Sequence, residues 1–214
     1  MPSHPFQGSS CKRRLLNLHG ILEEWTEIVA RMGRKWNKSG DVPWWYNERA
    51  DLSLFAGAVW RAGGDVMEEF SSEKRKIGKT TGRLHSSYTG RVDLYFETPN
   101  RSDYYLECKS IWSGASRPND SSIRKIEDHL EWACHDIKKF HPHRYRRLGL
   151  TFAKPYIRRS PGVDVKEKIS DWLTLMEAVD CDARAWSFPM SCKCGKASDN
   201  FCPGVAIFIK ELRK

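Results

Sequence analysis

No apolar run in the 214-residue sequence approaches the length needed to cross a bilayer; GVAIFI is among the longest. A helical membrane span is therefore excluded, and no membrane partner is expected. The opening residues, MPSHPFQGSSCKRR, have no apolar centre of the secretory-signal kind, so a cytoplasmic location is expected. There is no internal repeat and no low-complexity tract, which excludes solenoid and fibrous architectures. GKTTG at 78–82 is similar to the tail of a phosphate-binding loop, but Glu73 stands where the leading glycine is required. An ATP site of that kind is excluded. Acidic side chains are missing altogether from Lys138 to Arg159, a stretch holding eight Lys or Arg.

The remaining composition is that of a globular chain, 40% apolar and 29% charged, long enough for one substantial domain. The net charge is +9, and its excess is uneven. From Ser71 to Arg91 six bases face one acid. Stretches of this kind neutralise phosphates and draw a polyanion from a distance, so nucleic acid is the expected partner. The seven cysteines are scattered except near the C-terminus, and Cys11, Cys134 and Cys181 read as ordinary reduced thiols.

Leu15, Leu18, Ile21, Leu22, Trp25, Ile28 and Val29 recur at three- and four-residue steps, which predicts a helix over 13–36. NKSGDVP breaks it. A second helix is predicted over 44–62 and ends at Gly63-Gly64. A strand at DVMEEFSSEKRK, a basic loop at IGKTTGRLHSSYTG and a hairpin over 90–112 follow. Ser121 or Ser122 is the expected cap of a third helix over 122–140. A strand RLGLTFAKPYI, a helix VKEKISDWLTLMEAV, a strand near ARAWSFPM and a strand at GVAIFIKEL complete the chain. Three consecutive strands followed by helical crossovers predict a mixed sheet with helices on its faces.

The hairpin carries the chemistry. VDLYF and YYLECKSI have strand composition, yet Asp93 sits in the first and Glu107 and Lys109 in the second. Buried charges are costly unless they are paired or bind a metal. Residues two apart on a strand share a face, so Glu107 and Lys109 are expected to point together, with Asp93 facing them from the neighbouring strand. Cys108 then faces the other way, as a small core residue. Two adjacent carboxylates repel, and a divalent cation between them removes that cost. Oxygen donors suit Mg²⁺ or Mn²⁺. A lysine alongside orients a water or stabilises a phosphorane-like transition state, which together suits in-line hydrolysis of a phosphodiester. The alternative is an ion cluster in which Lys109 only neutralises the acids.

RVD, thirteen residues, then ECK is similar to the motif of the PD-(D/E)xK nuclease superfamily, although Val92 replaces the proline of that pattern. The resemblance implies a metal-dependent endonuclease, with DNA favoured over RNA as substrate and a homodimer allowed. It implies Asp93 and Glu107 as catalytic metal ligands and Lys109 as the catalytic lysine. Glu48 in YNERADLSLF matches the glutamate that many members carry on the preceding helix, with Glu68 or Glu69 as the fallback. The implied fold is a restriction-endonuclease-like mixed β-sheet flanked by helices, an α/β class. It is expected over 43–160, after an N-terminal helical extension (1–42) and before a C-terminal helix and strands (161–214) that complete the same domain. A non-catalytic nucleic-acid-binding module on that fold, working as a subunit of a larger complex, is the second reading.

Among further basic residues, the resemblance implies Lys125, on the helix after the motif, as the partner of the scissile phosphate. Arg144, Arg146 and Arg147 in HPHRYRR, and Lys76, Lys79 and Arg83 in the earlier loop, are expected along the nucleic-acid backbone, where they give affinity without sequence choice. Cys192, Cys194 and Cys202 supply three sulfurs of an incomplete zinc set, so Zn²⁺ ranks below a glycine-containing turn between strands. The aromatic run Trp44-Trp45-Tyr46 reads as a helix-entry core contact before a base-stacking platform.

Overall fold

The structure, a computed structural model, describes residues 6–36, 41–75, 87–140, 145–190 and 199–212. Along the chain the elements are β1 (Gln7–Cys11), α1 (His19–Trp36), α2 (Glu48–Arg61), β2 (Asp65–Arg75), β3 (Ser87–Glu97) and β4 (Asp103–Gly114). They continue with α3 (Asp120–Lys138), β5 (Arg146–Arg158), α4 (Val165–Met176), β6 (Ala183–Ser187), β7 (Asn200–Phe201) and β8 (Val205–Glu211). The strands form one mixed sheet in the order β1-β6-β8-β5-β4-β3-β2, with β7 pairing onto the end of β5. β4 and β5 are parallel, joined by the α3 crossover; the other pairs are antiparallel.

The helices cover the sheet in two layers. α1 turns Ile21, Leu22, Trp25, Ile28 and Val29 inward at the expected steps, and they meet Phe55 and Val59 of α2 over Leu94, Phe96, Leu106 and Leu150. On the opposite face, Ile126 and Leu130 of α3 and Trp172 of α4 pack over Ile111, Ala153 and Phe208. A smaller cluster joins Val92 and Tyr105 to Ile137 and Phe140 at the end of α3. Each fully buried Phe or Leu contributes about 1.5–3 kcal/mol relative to exposure, so these stripes set which face of each helix turns inward.

Local signals explain the ends, with some departures from expectation. The predicted helix over 44–62 is split: Pro43–Trp45 is a single 3-10 turn, and α2 starts after Asn47, whose side chain accepts from the Ala50 amide at 3.1 Å. Gly63 takes φ +87°, and the Gly63 and Gly64 amides bond the Trp60 and Val59 carbonyls, which closes α2 where the glycines predict. α3 is capped by Asn119, not by Ser121 or Ser122; its side chain accepts from the Ser121 amide, and the helix opens two residues early. The segment before residue 42, expected as a helical extension, also supplies the edge strand β1, pairing with β6. QGSSC has little strand character, so that pairing follows from the partner's register.

Candidate metal centre

The strand alternation that places side chains on one face breaks at a single point. Glu68 pairs with Leu94 and Phe70 with Val92, but Glu69 and Asp93 between them do not pair, and Glu69 takes φ +47°. Leu94 and Phe96 belong to the core under α2, whereas Val92 packs with Ile137 and Phe140 on the α3 side. The kink re-aims both acids, as bulged positions do. Beyond it, β2 and β3 run on as a two-stranded arm, while the β3–β4 ladder ends at Leu94–Leu106.

The parting of β3 and β4 leaves amides of β4 facing a gap, and two carboxylates take them. Asp93 Oδ2 accepts the Cys108 amide at 2.8 Å, and the Glu48 carboxylate accepts the Ser110 amide. Glu48 stands in the first turn of α2, where the helix dipole favours an anion. Carboxylate oxygens of Glu48 and Asp93 and the sulfur of Cys108 all lie within 4.8 Å of one another. Asn47, Arg49, Leu52 and Glu69 complete a cavity of about 240 Å³ around them. Burial pushes the Glu48 carboxyl above its usual range, opposed by Lys109 and aided by Asp93. Burial also holds the Cys108 thiol far above its ordinary value, so the two carboxylates are the groups of this cluster that would suit a hard cation.

Of the expected trio of Asp93, Glu107 and Lys109, the structure groups Asp93 with Glu48 and Cys108. Glu107 is 4% exposed and is not in the group with Glu48 and Asp93. Its neighbours on the strand face, Tyr105 and Lys109, turn to α3: Tyr105 packs on Phe140, and Lys109 Nζ pairs with Asp136 at 2.9 Å. Lys109 remains within electrostatic reach of both carboxylates. Partial burial opposes the charged form of Asp136, but hydrogen bonds from Lys139 and Lys109 bring it down to about 2. The fallback acids lie close by. Glu69 is paired with Arg49 and, at 3.5 Å, with Arg91, and Glu68 accepts from Ser53 at 3.5 Å.

Behind the gap lies a pair that the sequence reading passed over. Lys154, 2% exposed, donates to Asp51 Oδ2 at 3.1 Å and to the Tyr46 carbonyl at 3.3 Å. Asp51, 1% exposed, also accepts from Ser110 Oγ at 3.0 Å. Burial lifts Asp51 to about 6, against the lowering effect of Lys154 and Ser110. A lysine inside LTFAKPYI and an aspartate inside ERADLSLF, both amid apolar neighbours, are the signal for such a pair.

The basic residues assigned to nucleic acid fare unevenly. Lys76, Lys79, Arg83 and Arg144, with Cys192 and Cys194, lie outside the described residues. Lys125 is exposed on α3, three turns before Asp136, about 16 Å along the axis. Arg146 makes a two-pronged pair with Glu211 at 2.7 and 3.0 Å, donates to the Arg14 carbonyl and stacks over Tyr104. That guanidinium ties β5 to β8 and is spent on the fold. Arg147 is half-exposed opposite Tyr105 on β4. Cys202 is buried, and its carbonyl accepts Trp44 Nε1 at 3.1 Å.

No family model, no curated protein and no solved structure matches this chain.

Proposed function

We propose that the protein is a divalent-cation-dependent nuclease that hydrolyses phosphodiester bonds of DNA. The observation that carries this reading is the convergence of the Glu48 and Asp93 carboxylates in the gap where β3 and β4 part. The order α2-β2-β3-β4-α3-β5, a helix, three antiparallel strands, a crossover helix and a parallel strand, also supports a restriction-endonuclease-like core.

Glu48 and Asp93 would hold Mg²⁺ or Mn²⁺, for which carboxylate oxygens are the fitting donors. Once bound, the cation supplies positive charge against a phosphate oxygen and acidifies a water at the site. The Lys109 ammonium, held by Asp136, faces the negative charge that builds on the phosphoryl oxygens as water adds and the leaving oxygen departs. The basic sequence from Lys74 through Arg83 offers charge to the backbone of a bound strand. The deciding measurement incubates plasmid and linear DNA with the protein in Mg²⁺, Mn²⁺ or chelator. Nicking that chelator abolishes supports the reading; intact DNA under every condition ends it.

One observation favours a second reading. The two carboxylates already serve as hydrogen-bond acceptors for β4, a sufficient structural reason for their presence. Under that reading the chain binds DNA without cutting it. Mg²⁺ would then leave both its melting temperature and its DNA substrate unchanged.

A further inference from the structure

We propose that an exposed aromatic ledge beside the gap, formed by Tyr46, Trp112 and Tyr156, stacks the unpaired bases of single-stranded DNA. The consequence for substrate choice, a single-stranded or frayed segment in place of an intact duplex, rests on the nuclease reading. The binding itself rests on the ledge alone.

Along β4, alternate residues face α2 in a row. Cys108 lies at the gap, Ser110 bonds Asp51, Trp112 meets Trp45 edge-on at 5.3 Å between ring centres, and Gly114 lies beneath Tyr156. At the strand's rise, Trp112 stands about 13 Å from Cys108, close enough for one strand to span both. The ledge ends the row. Tyr46 is 54% exposed, Trp112 38% and Tyr156 37%, so each ring leaves surface open to solvent. The Tyr156 ring lies over Gly114, within van der Waals reach of where a Cβ would stand.

The ledge is also pre-set. The buried Lys154 ammonium sits 4.9 Å from the Trp112 ring centre and bonds the Tyr46 carbonyl, while Asp51 neutralises it. Trp45 meets the Trp112 ring edge-on. A ring braced in this way loses little freedom when a base stacks on it. Positive charge continues past the rings: Arg158 follows Tyr156 on the same face of β5, and Arg117 is exposed in the loop after β4. Aromatic faces with cations beside them suit an unpaired strand, whose bases present free π-faces and whose phosphates need neutralising. A duplex covers its base faces and would meet only the cations.

The test measures binding of a labelled oligothymidylate and of a duplex of equal length by fluorescence anisotropy, in chelator so that nothing is cut. Tyr46→Ala, Tyr156→Ala and Trp112→Ala are each expected to weaken oligothymidylate binding about tenfold while duplex binding changes less than twofold. Tyr156→Phe, which keeps the ring, is expected to bind within twofold of the parent. Tyr46 and Tyr156 are exposed enough to remove without unfolding the chain, so they decide the matter if Trp112→Ala melts early. Unchanged oligothymidylate affinity in Tyr46→Ala and Tyr156→Ala overturns the proposal. So does an equal loss for duplex, or a ledge that responds only to a protein partner. Asp93→Asn separates the two readings, because it removes cleavage without touching the ledge. Ledge-dependent binding in a protein that never cuts would sink the nuclease reading alone. Cation-dependent cutting with an indifferent ledge would sink only this one.

Discussion

The Cys108 amide donates to Asp93 Oδ2 at 2.8 Å, so a carboxylate occupies a place that a strand carbonyl fills elsewhere in the sheet. That bond gives Asp93 two separable duties. Its shape satisfies the strand edge, and its charge, with Glu48, would hold the proposed cation.

Asp93→Asn keeps an acceptor for the Cys108 amide and removes the charge. Its melting temperature is expected to stay close to the parent's, while Mg²⁺-dependent cleavage falls at least about 100-fold, as loss of a ligand should exceed loss of an outer-shell partner. Asp93→Ala removes both duties and leaves the amide unpaired, which costs a further 1–3 kcal/mol, or roughly that, in chemical denaturation. Equal stability of the two variants would show that the bond to Cys108 carries no weight.

Lys109→Ala is expected to abolish cleavage with DNA affinity held within about threefold, since one ammonium among many cations contributes little to binding. Gel-based cleavage and anisotropy in chelator read the two effects separately. Persistent cutting in this variant would remove Lys109 from the mechanism.

The Asp51–Lys154 pair is inside the protein, so breaking it differs from replacing it. Lys154→Met strands a buried carboxylate and is expected to cost about 3–5 kcal/mol in urea unfolding. The double change Asp51→Leu with Lys154→Met removes both charges and is expected to recover most of that loss. A double variant as unstable as the single one would contradict the pairing.

Asp136 supplies the pH signature. Its folded pKa, about 2, lies below the unfolded value of 3.8, so the folded state favours the ionised form. The stabilisation is fully present above pH 3.8 and is lost as pH falls towards 2. Asp136→Asn should be less stable than the parent at neutral pH, with the gap closing over that acidic window in urea unfolding followed by circular dichroism. A gap that widens on acidification would reverse the assignment.

Much of the layout was legible because burial leaves a local record. The spacing from Ile21 to Val29 announced α1, although Arg13–Leu18, expected in the same helix, forms a 3-10 segment ahead of it; Gly63-Gly64 announced the end of α2, and the hairpin composition announced β3 and β4. β1 was not legible, since QGSSC is a strand only because β6 offers it an edge. At the site, Glu48, Asp93 and Glu107 were singled out by their motif positions, and of these Glu48 and Asp93 converge with Cys108. The kink at Glu69 and Asp93 breaks the strand alternation, and neither residue type signals it.

Taken alone, the amino-acid order determined the helical faces, the hairpin, the basic stretches and the unusual acids within strands, because each is written in the periodicity of neighbours along the chain. Tertiary structure alone decided which acids share a space. That outcome depends on where β3 leaves β4 and on which unpaired amides of β4 then draw in carboxylates from α2 and β3, a competition among segments distant in sequence.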